Sequence, residues 1–329
     1  MAKSIGIDLG TANVLIYVKG EGIVVNEPSV VAINTDTNNV VAVGSDAYKM
    51  VGRTPGNIKA IRPLKDGVIA DFDITEKMLI HFINKINVKS IFSKPTIMIC
   101  CPTNITAIEQ RSIIEAAQQT GSKNVYLELE PKVAAIGAGM DIFKPQGNMV
   151  IDIGGGTSDI AILSMGDIAA SKSMRLAGDE MNTAIQNYVK KHDNVIIGER
   201  TSEDIKKQIG TAFEPDKNHT MEVRGRDVRT GLPTGVKMSE VETEKAMHDI
   251  FAQIIAGAKE VLEETSPELA ADIIDHGVML TGGGALVHGI DKLFSQELQV
   301  PVIVADKPLD TVALGTGVLL DNIENNRRH

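Results

Sequence analysis

The chain has 329 residues, 43% hydrophobic and 23% charged, with 33 Lys and Arg against 43 Asp and Glu and a formal net charge of −10. That length exceeds what one core usually serves, the composition is that of a folded globular protein, and the acidic balance excludes a general nucleic-acid binder, which needs a basic surface. Cys100 and Cys101 are adjacent in an apolar run, Asp8 interrupts any signal-peptide core, and no apolar run could span a bilayer, so a cytosolic protein without a disulfide framework is expected.

The first pattern is a hairpin. Ile5-Gly-Ile-Asp-Leu-Gly-Thr-Ala-Asn-Val-Leu-Ile-Tyr-Val18 runs apolar to Asp8, turns at Gly10 and Thr11, and returns apolar. Residues 22–34 read as a strand pair turning at Glu27-Pro28, 40–43 as a strand, 44–51 as a short helix and 52–57 as a turn. Residues 58–63 read as extended, 64–71 as loop to strand, and 74–87 as a helix with apolar Met78, Leu79, Phe82, Ile83 and Ile86. Lys89-Ser-Ile-Phe-Ser-Lys94 sets Ile91 and Phe92 between lysines. From the residues alone, tucking back into the core is the better reading, and insertion into a membrane with lysines at anionic head groups is the second.

A strand over 95–101 follows, then a helix over 107–120 capped by Thr106 and ended by Gly121. After a strand over 125–129, Glu130-Pro131 opens a helix to 140 that is rich in alanine and glycine. Proline suits a first helical turn, and Glu130 is favoured there as an anion, either as a cap or to orient a water.

Residues 149–163, Met-Val-Ile-Asp-Ile-Gly-Gly-Gly-Thr-Ser-Asp-Ile-Ala-Ile-Leu, repeat the plan of the first hairpin around Asp152. A glycine tip exposes backbone N–H groups that suit phosphate, and a carboxylate buried at its mouth is costly unless it meets a cation such as Mg²⁺. Two such hairpins imply an internal duplication, with one tip on each side of a polyphosphate.

Beyond it, 168–174 reads as a strand and 181–191 as a helix. A helix over 199–209 has Thr201 and Ser202 as candidate caps and places Glu203 and Lys206 on one face, ordinarily a surface pair. Residues 221–236 carry Arg224, Arg226 and Arg229 among strand and turn residues. Helices follow over 240–264 and 267–274. A strand then enters a third glycine turn, Gly282 to Gly284, and a helix over 285–293 leaves it. Bare glycines there admit an anion or a flat ring close to the backbone. A strand over 301–305 and a small-residue helix over 311–321 close the pattern, and the polar 322–329 is expected to fray.

This ordered set resembles the ATPase superfamily of actin, the heat-shock chaperone ATPases and the sugar kinases. It is most similar to the bacterial actin family of MreB and Mbl. The residues that carry the likeness include Ile7-Asp-Leu-Gly-Thr-Ala-Asn13, Asn26-Glu-Pro-Ser-Val30, Arg62-Pro-Leu-Lys-Asp-Gly-Val-Ile-Ala-Asp71, Ala177-Gly-Asp-Glu-Met181, Thr230-Gly-Leu-Pro233 and Leu280-Thr-Gly-Gly-Gly-Ala-Leu286, and they cover essentially the whole chain.

The resemblance implies an α/β, actin-like two-lobed ATPase fold of duplicated ribonuclease-H-like domains, each with an inserted small subdomain. Residues 1–31, 66–142 and 309–329 would form one core lobe with 32–65 as its appendage, and 143–180 and 245–308 the other with 181–244 inserted. It further implies ATP or ADP with Mg²⁺ between the lobes: Thr11, Ala12 and Asn13 on one phosphate turn, and Gly155, Gly156, Thr157 and Ser158 on the other. Asp8 and Asp152 would hold Mg²⁺ largely through water. Glu203 and Lys206 would approach ribose and base, and Gly282, Gly283, Gly284 and Ala285 would lie along the adenosine. Glu130 and Thr157 would place the attacking water for a slow ATPase coupled to polymerisation, in which placement and charge neutralisation matter more than a strong base. The two small-residue helices would be the hinge pair.

The same resemblance implies self-assembly into antiparallel double filaments at the inner face of the cytoplasmic membrane, with membrane proteins of the elongation machinery as partners and a cell-shape role. Met1-Ala-Lys-Ser runs straight into the first strand, without the family's amphipathic N-terminal helix, so the likeness moves Ile91 and Phe92 to the membrane-contact reading. The chain departs from the family at Leu129, where Glu is usual, at Lys132, where Phe or Met is usual, and at Ser158-Asp159, where Thr-Glu is commoner. An altered hydrolysis rate is expected from these. The alternatives are a divergent paralogue whose filaments serve shape or motility rather than wall synthesis and, less favoured, a small-molecule kinase, for whose acceptor no spare segment is evident. A chaperone-like ATPase would need a substrate domain after the last helix.

Overall fold

The computed structural model describes residues 4–86, 95–103, 105–122 and 124–326. Ile91 and Phe92 lie outside them, and among the described residues no helix is long and apolar enough to cross a membrane.

Two five-stranded sheets share one plan. In the first, the order is Asn124–Leu129, Thr96–Cys101, Ser4–Leu9, Asn13–Val18, Gly22–Pro28. In the second it is Val302–Val304, Val278–Thr281, Asn148–Ile153, Ser158–Ser164, Asp167–Met174. Each sheet starts from an antiparallel three-strand meander, and each then adds two parallel strands beside the meander's first strand. The match of order and direction is the structural form of the duplication expected from the two hairpins. The hairpins form as expected, closing with Leu9 opposite Val14 and Ile153 opposite Ser158.

Each sheet has its own core, one built on Met78, Leu79 and Phe82, the other on Phe251 and Phe294. A third core joins them. It packs Met98 and Cys100 of the first sheet and Val150, Ala161 and Leu163 of the second around the helices Glu130–Gly137 and Thr311–Asn326. Small residues let these two helices cross closely enough to fit between the sheets. A Cβ on Gly137 would lie 1.8 Å from the Thr311 carbonyl oxygen, and one on Gly315 would lie 2.0 Å from that of Val133.

Two smaller sheets flank the mouth of the cleft between the lobes. Val31–Asn34, Val40–Val43 and Ile58–Ile61 form one, with the short helix Ser45–Tyr48. Val195–Ile196, Thr220–Asp227 and Pro233–Ser239 form the other, with the helices Gly178–Asp193 and Glu199–Ile209.

Four local expectations change. The strand pair expected over 22–34 is not a pair: Gly22–Pro28 joins the first five-stranded sheet and Val31–Asn34 the flanking one. The chain turns between them at Ser29, whose N and Oγ donate to the carbonyls of Ala12 and Gly10 and fasten the corner to the first phosphate turn. The helix Glu199–Ile209 has Gly198 as its N-cap, and Ser202 Oγ turns inward to the Glu199 carbonyl rather than capping. Thr201 already lies inside that helix. The helix expected over 285–293 is instead a 3₁₀ turn, Gly283–Leu286, followed by Ile290–Leu298. Ala212 N bonds the His288 carbonyl and Gly289 takes φ 72°, so the chain leaves helical geometry between the two.

Candidate functional site

The two hairpin tips meet. A Cβ on Gly155 would lie 2.7 Å from the Ala12 Cβ, and one on Gly156 would lie 2.7 Å from Thr11 Oγ1 and 2.9 Å from the Asp66 backbone. Only glycine permits this approach, and it leaves the backbones of both lobes lining one cleft of about 410 Å³. The tips are braced from behind. Gly154 N donates to the Thr157 carbonyl at 2.8 Å, Asp179 N to the Gly155 carbonyl at 2.8 Å, and Gly67 N to Thr11 Oγ1 at 3.0 Å.

The floor is acidic. Asp8, Glu130 and Asp152 line the cleft, with Asp159 buried just behind. Burial, then the charge of Asp152, pushes the Asp8 carboxyl up to about 8. Burial, then Asp159, pushes Asp152 up to about 7. Glu130 is held well above the ordinary carboxylate range by burial, then by Asp159, Asp8 and Asp152. Such a floor is short of positive charge. Among the described residues no group of three or more His, Cys, Asp or Glu could hold a metal by itself. Two carboxylates facing a phosphate cradle are instead the donor set of Mg²⁺, which keeps waters and takes its remaining oxygens from phosphates. The residues therefore fit a magnesium polyphosphate.

The walls differ. On one side Lys206 Nζ donates to the Gly178 carbonyl at 2.7 Å, and burial, only partly offset by Glu203 and Asp179, brings its ammonium down to about 8. Glu203 pairs with Lys207 at 2.7 Å rather than with Lys206, which corrects the expected surface pair. Burial favours neutral Glu203, but bonds from Lys207 and Tyr48 hold its carboxyl below the usual range. Asn182 Oδ1 is buried on this wall without a hydrogen-bond partner among the described residues, so an acceptor is available there to a ligand. The other side is apolar. Pro308, Leu309 and Val312 face Leu286 and Val287 across Gly282 to Gly284, and Leu286 and Leu309 remain 58% and 47% exposed. An apolar slot beside a phosphate cradle suits a flat heterocycle.

Of the residues expected at the site, the cleft is lined by Asp8, Thr11, Ala12, Asn13, Glu130, Asp152, Gly155, Gly156, Thr157, Glu203, Lys206, Gly282, Gly283 and Gly284. Two are not in the lining. Ser158 is fully buried and its Oγ donates to the Leu176 carbonyl at 2.6 Å, so it braces the hairpin. Ala285 is 3% exposed and packs in the second lobe's core. The sequence reading missed Tyr48, Arg62, Asp179, Asn182, Leu286 and Leu309 as cleft residues. Leu286 and Leu309 each stand one or two residues from a Gly or Pro of the site, which was the available signal. Arg62 stands in a stretch that carries the family likeness, to which no cleft role was attached, and Tyr48 carried no signal.

Two duplicated lobes, each presenting a glycine hairpin and a carboxylate to a shared cleft, define an actin-like fold. The family model described as MreB/Mbl protein matches residues 2–328. The chain is 61% identical over 323 residues to the cell shape-determining protein Mbl of Bacillus subtilis strain 168, covering 98% of this chain and 97% of the relative. Among solved structures, MreB5 of Spiroplasma citri bound to AMPPNP superposes with TM-score 0.95 at 40% identity, covering 100% of this chain and 98% of that one. MamK, as a double helical filament, shares the fold at TM-score 0.83 and 19% identity, covering 97% and 98%. The chain belongs to the MreB/Mbl family of bacterial actins.

Proposed function

We propose that this chain binds ATP with Mg²⁺ in the cleft, hydrolyses it slowly, and polymerises into filaments that act as a cell-shape scaffold. The observation that carries this is the meeting of Thr11 and Gly156 above Asp8 and Asp152, one turn and one carboxylate from each lobe. A ligand held this way bridges both lobes, so its phosphate state is felt as lobe closure. The cell-shape reading is supported by the name of the Mbl relative, and the nucleotide by the AMPPNP-bound MreB5.

When bound, Mg²⁺ would neutralise charge on the transferred phosphoryl group, held by Asp8 and Asp152 largely through water. Backbone N–H groups at residues 11–13 and 155–157 would bind phosphate oxygens. Glu130 and Thr157 would orient the water. Glu203 and Lys206 would meet the ribose, with the base against the slot of Leu286 and Leu309. The subdomain bounds follow the family pattern given above.

The filaments would lie at the inner face of the cytoplasmic membrane, in antiparallel pairs, with Ile91 and Phe92 as the contact and elongation-machinery membrane proteins as partners. Co-pelleting with anionic liposomes should fall for Phe92→Ser, and retained binding would count against that contact. The main test is sedimentation at micromolar concentration in ATP and Mg²⁺, with electron microscopy of the pellet. Filaments are expected; a chain that stays monomeric with ATP and lipid would overturn the scaffold reading.

A further inference from the structure

The mouth of the cleft is crossed by side chains that neither phosphate turn uses. Tyr48 ends the short helix Ser45–Tyr48, and Arg62 follows the strand Ile58–Ile61. Both belong to the flanking sheet of the first lobe. Opposite them, Glu199, Arg200 and Glu203 lie in the first turns of the helix Glu199–Ile209 of the second lobe. Tyr48 Oη donates to Glu203 Oε2 at 2.5 Å. Arg62 donates through Nε and Nη2 to Glu199 Oε1 at 2.9 and 2.7 Å. The Arg200 guanidinium stands 5.2 Å over the Tyr48 ring, and its buried Nη1 has no hydrogen-bond partner among the described residues.

These bonds are not ordinary surface pairs. The Arg62 and Glu203 side chains are 19% and 17% exposed while Glu199 is 42% exposed, so each link is charge-assisted and has one partly desolvated charged partner. Glu203 is held on its other oxygen by Lys207, so Tyr48 binds a carboxylate already fixed in place. The lobes are thus joined twice, at the base by the helices Glu130–Gly137 and Thr311–Asn326 and at the mouth by this cluster. A ligand between the two joints leaves only when the upper one opens.

We propose that Tyr48, Arg62 and Glu199 form a clasp that gates the cleft and sets how fast nucleotide enters and leaves. The proposal rests on the nucleotide reading given above. Tyr48 and Arg62 act through Glu203 and Glu199, as positioning residues. A gate and a ligand contact differ in kinetics. Loosening a gate speeds entry and exit together and leaves affinity nearly unchanged, whereas losing a contact speeds exit alone.

The test is stopped-flow binding and release of a fluorescent N-methylanthraniloyl-ADP with Mg²⁺, on the full chain. Tyr48→Phe keeps the ring under Arg200 and removes only the Glu203 bond. Glu199→Gln removes the charge opposite Arg62. Each should raise both rate constants about 3- to 10-fold, the range of one ordinary net hydrogen bond at a partly solvated site, with Kd within about twofold. The double reversal Arg62→Glu with Glu199→Arg should restore slow exchange, which a merely misfolded variant would not. Unchanged rates in both single variants, or faster release without faster binding, would overturn the clasp alone. A wild type that takes up no ADP derivative would overturn the nucleotide reading and the clasp with it.

Discussion

Gly137 lies against the backbone of Thr311 so closely that a Cβ on it would sit 1.8 Å from the carbonyl oxygen. Gly315 makes the reciprocal approach to Val133, at 2.0 Å. Neither obstacle is a flexible side chain, so the helices must separate to admit even a methyl. Gly137→Ala and Gly315→Ala should each destabilise the chain by about 2–3 kcal/mol, in the range of overpacking a closed core. Gly56→Ala, where nothing lies within 4 Å, should be near neutral. Urea midpoints compare the three. Equal midpoints would mean that the helix pair is not a close-packed joint.

Glu130 opens its helix, and Pro131 at the next position leaves no backbone donor there to satisfy. Its carboxyl is instead held well above the ordinary carboxylate range, first by burial, then by the charges of Asp159, Asp8 and Asp152. A cation between Asp8 and Asp152 would reverse the local field and return Glu130 to the ionised form that can orient a water. Glu130→Ala and Thr157→Ala should therefore lower phosphate release on the order of 100-fold while nucleotide binding survives. Release at the wild-type rate in Glu130→Ala would remove that residue from the reaction.

The raised carboxyls also fix a pH dependence. Asp8 and Asp152 move from an ordinary 3.8 to about 8 and about 7 in the ligand-free fold. Between pH 4 and 8 the folded state holds protons that the unfolded chain has lost. The ligand-free protein should thus lose stability as pH rises through that window and level off above it. Asp152→Asn removes the penalty. It should stabilise the ligand-free chain at pH 8 on the order of 1–3 kcal/mol, with little effect at pH 4, and should abolish Mg²⁺-dependent nucleotide binding. Calorimetric melting at both pH values checks the sign. Destabilisation at pH 8 would contradict it.

The phosphate end of the site was legible in the chain because it is made of contiguous hairpins. Asp8 to Asn13 and Asp152 to Thr157 each carry their carboxylate, turn and return strand within one short run, so local pattern and spatial site coincide. The mouth was not legible. Tyr48 and Glu203 are 155 positions apart, and nothing in the sequence around either residue points to the other. Glu203 shows the cost of reading a helix alone. At i, i+3 it faces Lys206, yet Lys206 turns to the Gly178 carbonyl and Lys207 takes the pair. Ser158 failed for a related reason. Thr157 stands on the turn at the cleft, whereas Ser158 begins a strand whose first six residues are all buried, and its Oγ bonds the Leu176 carbonyl.

Glu27 ties the first lobe's flanking sheet to its main sheet. One carboxylate oxygen accepts from Ser45 N and Oγ at 2.8 and 2.6 Å, and the other from Lys85 Nζ at 2.6 Å. Burial alone would raise its pKa, but these bonds from Lys85 and Ser45 win and bring it from 4.5 to about 2. A depressed carboxyl contributes stability that is complete above the unfolded value and fades as pH falls toward the folded one. Glu27→Gln should therefore cost about 1 kcal/mol at pH 7, a modest figure because Lys85 is 54% exposed and screened by solvent. The gap to wild type should narrow steadily between pH 4.5 and 3, where the unfolded chain is protonated and the native latch is giving way. Urea titrations across that range read it directly. A gap that stays constant with pH would show that Glu27 acts through packing and not through its charge.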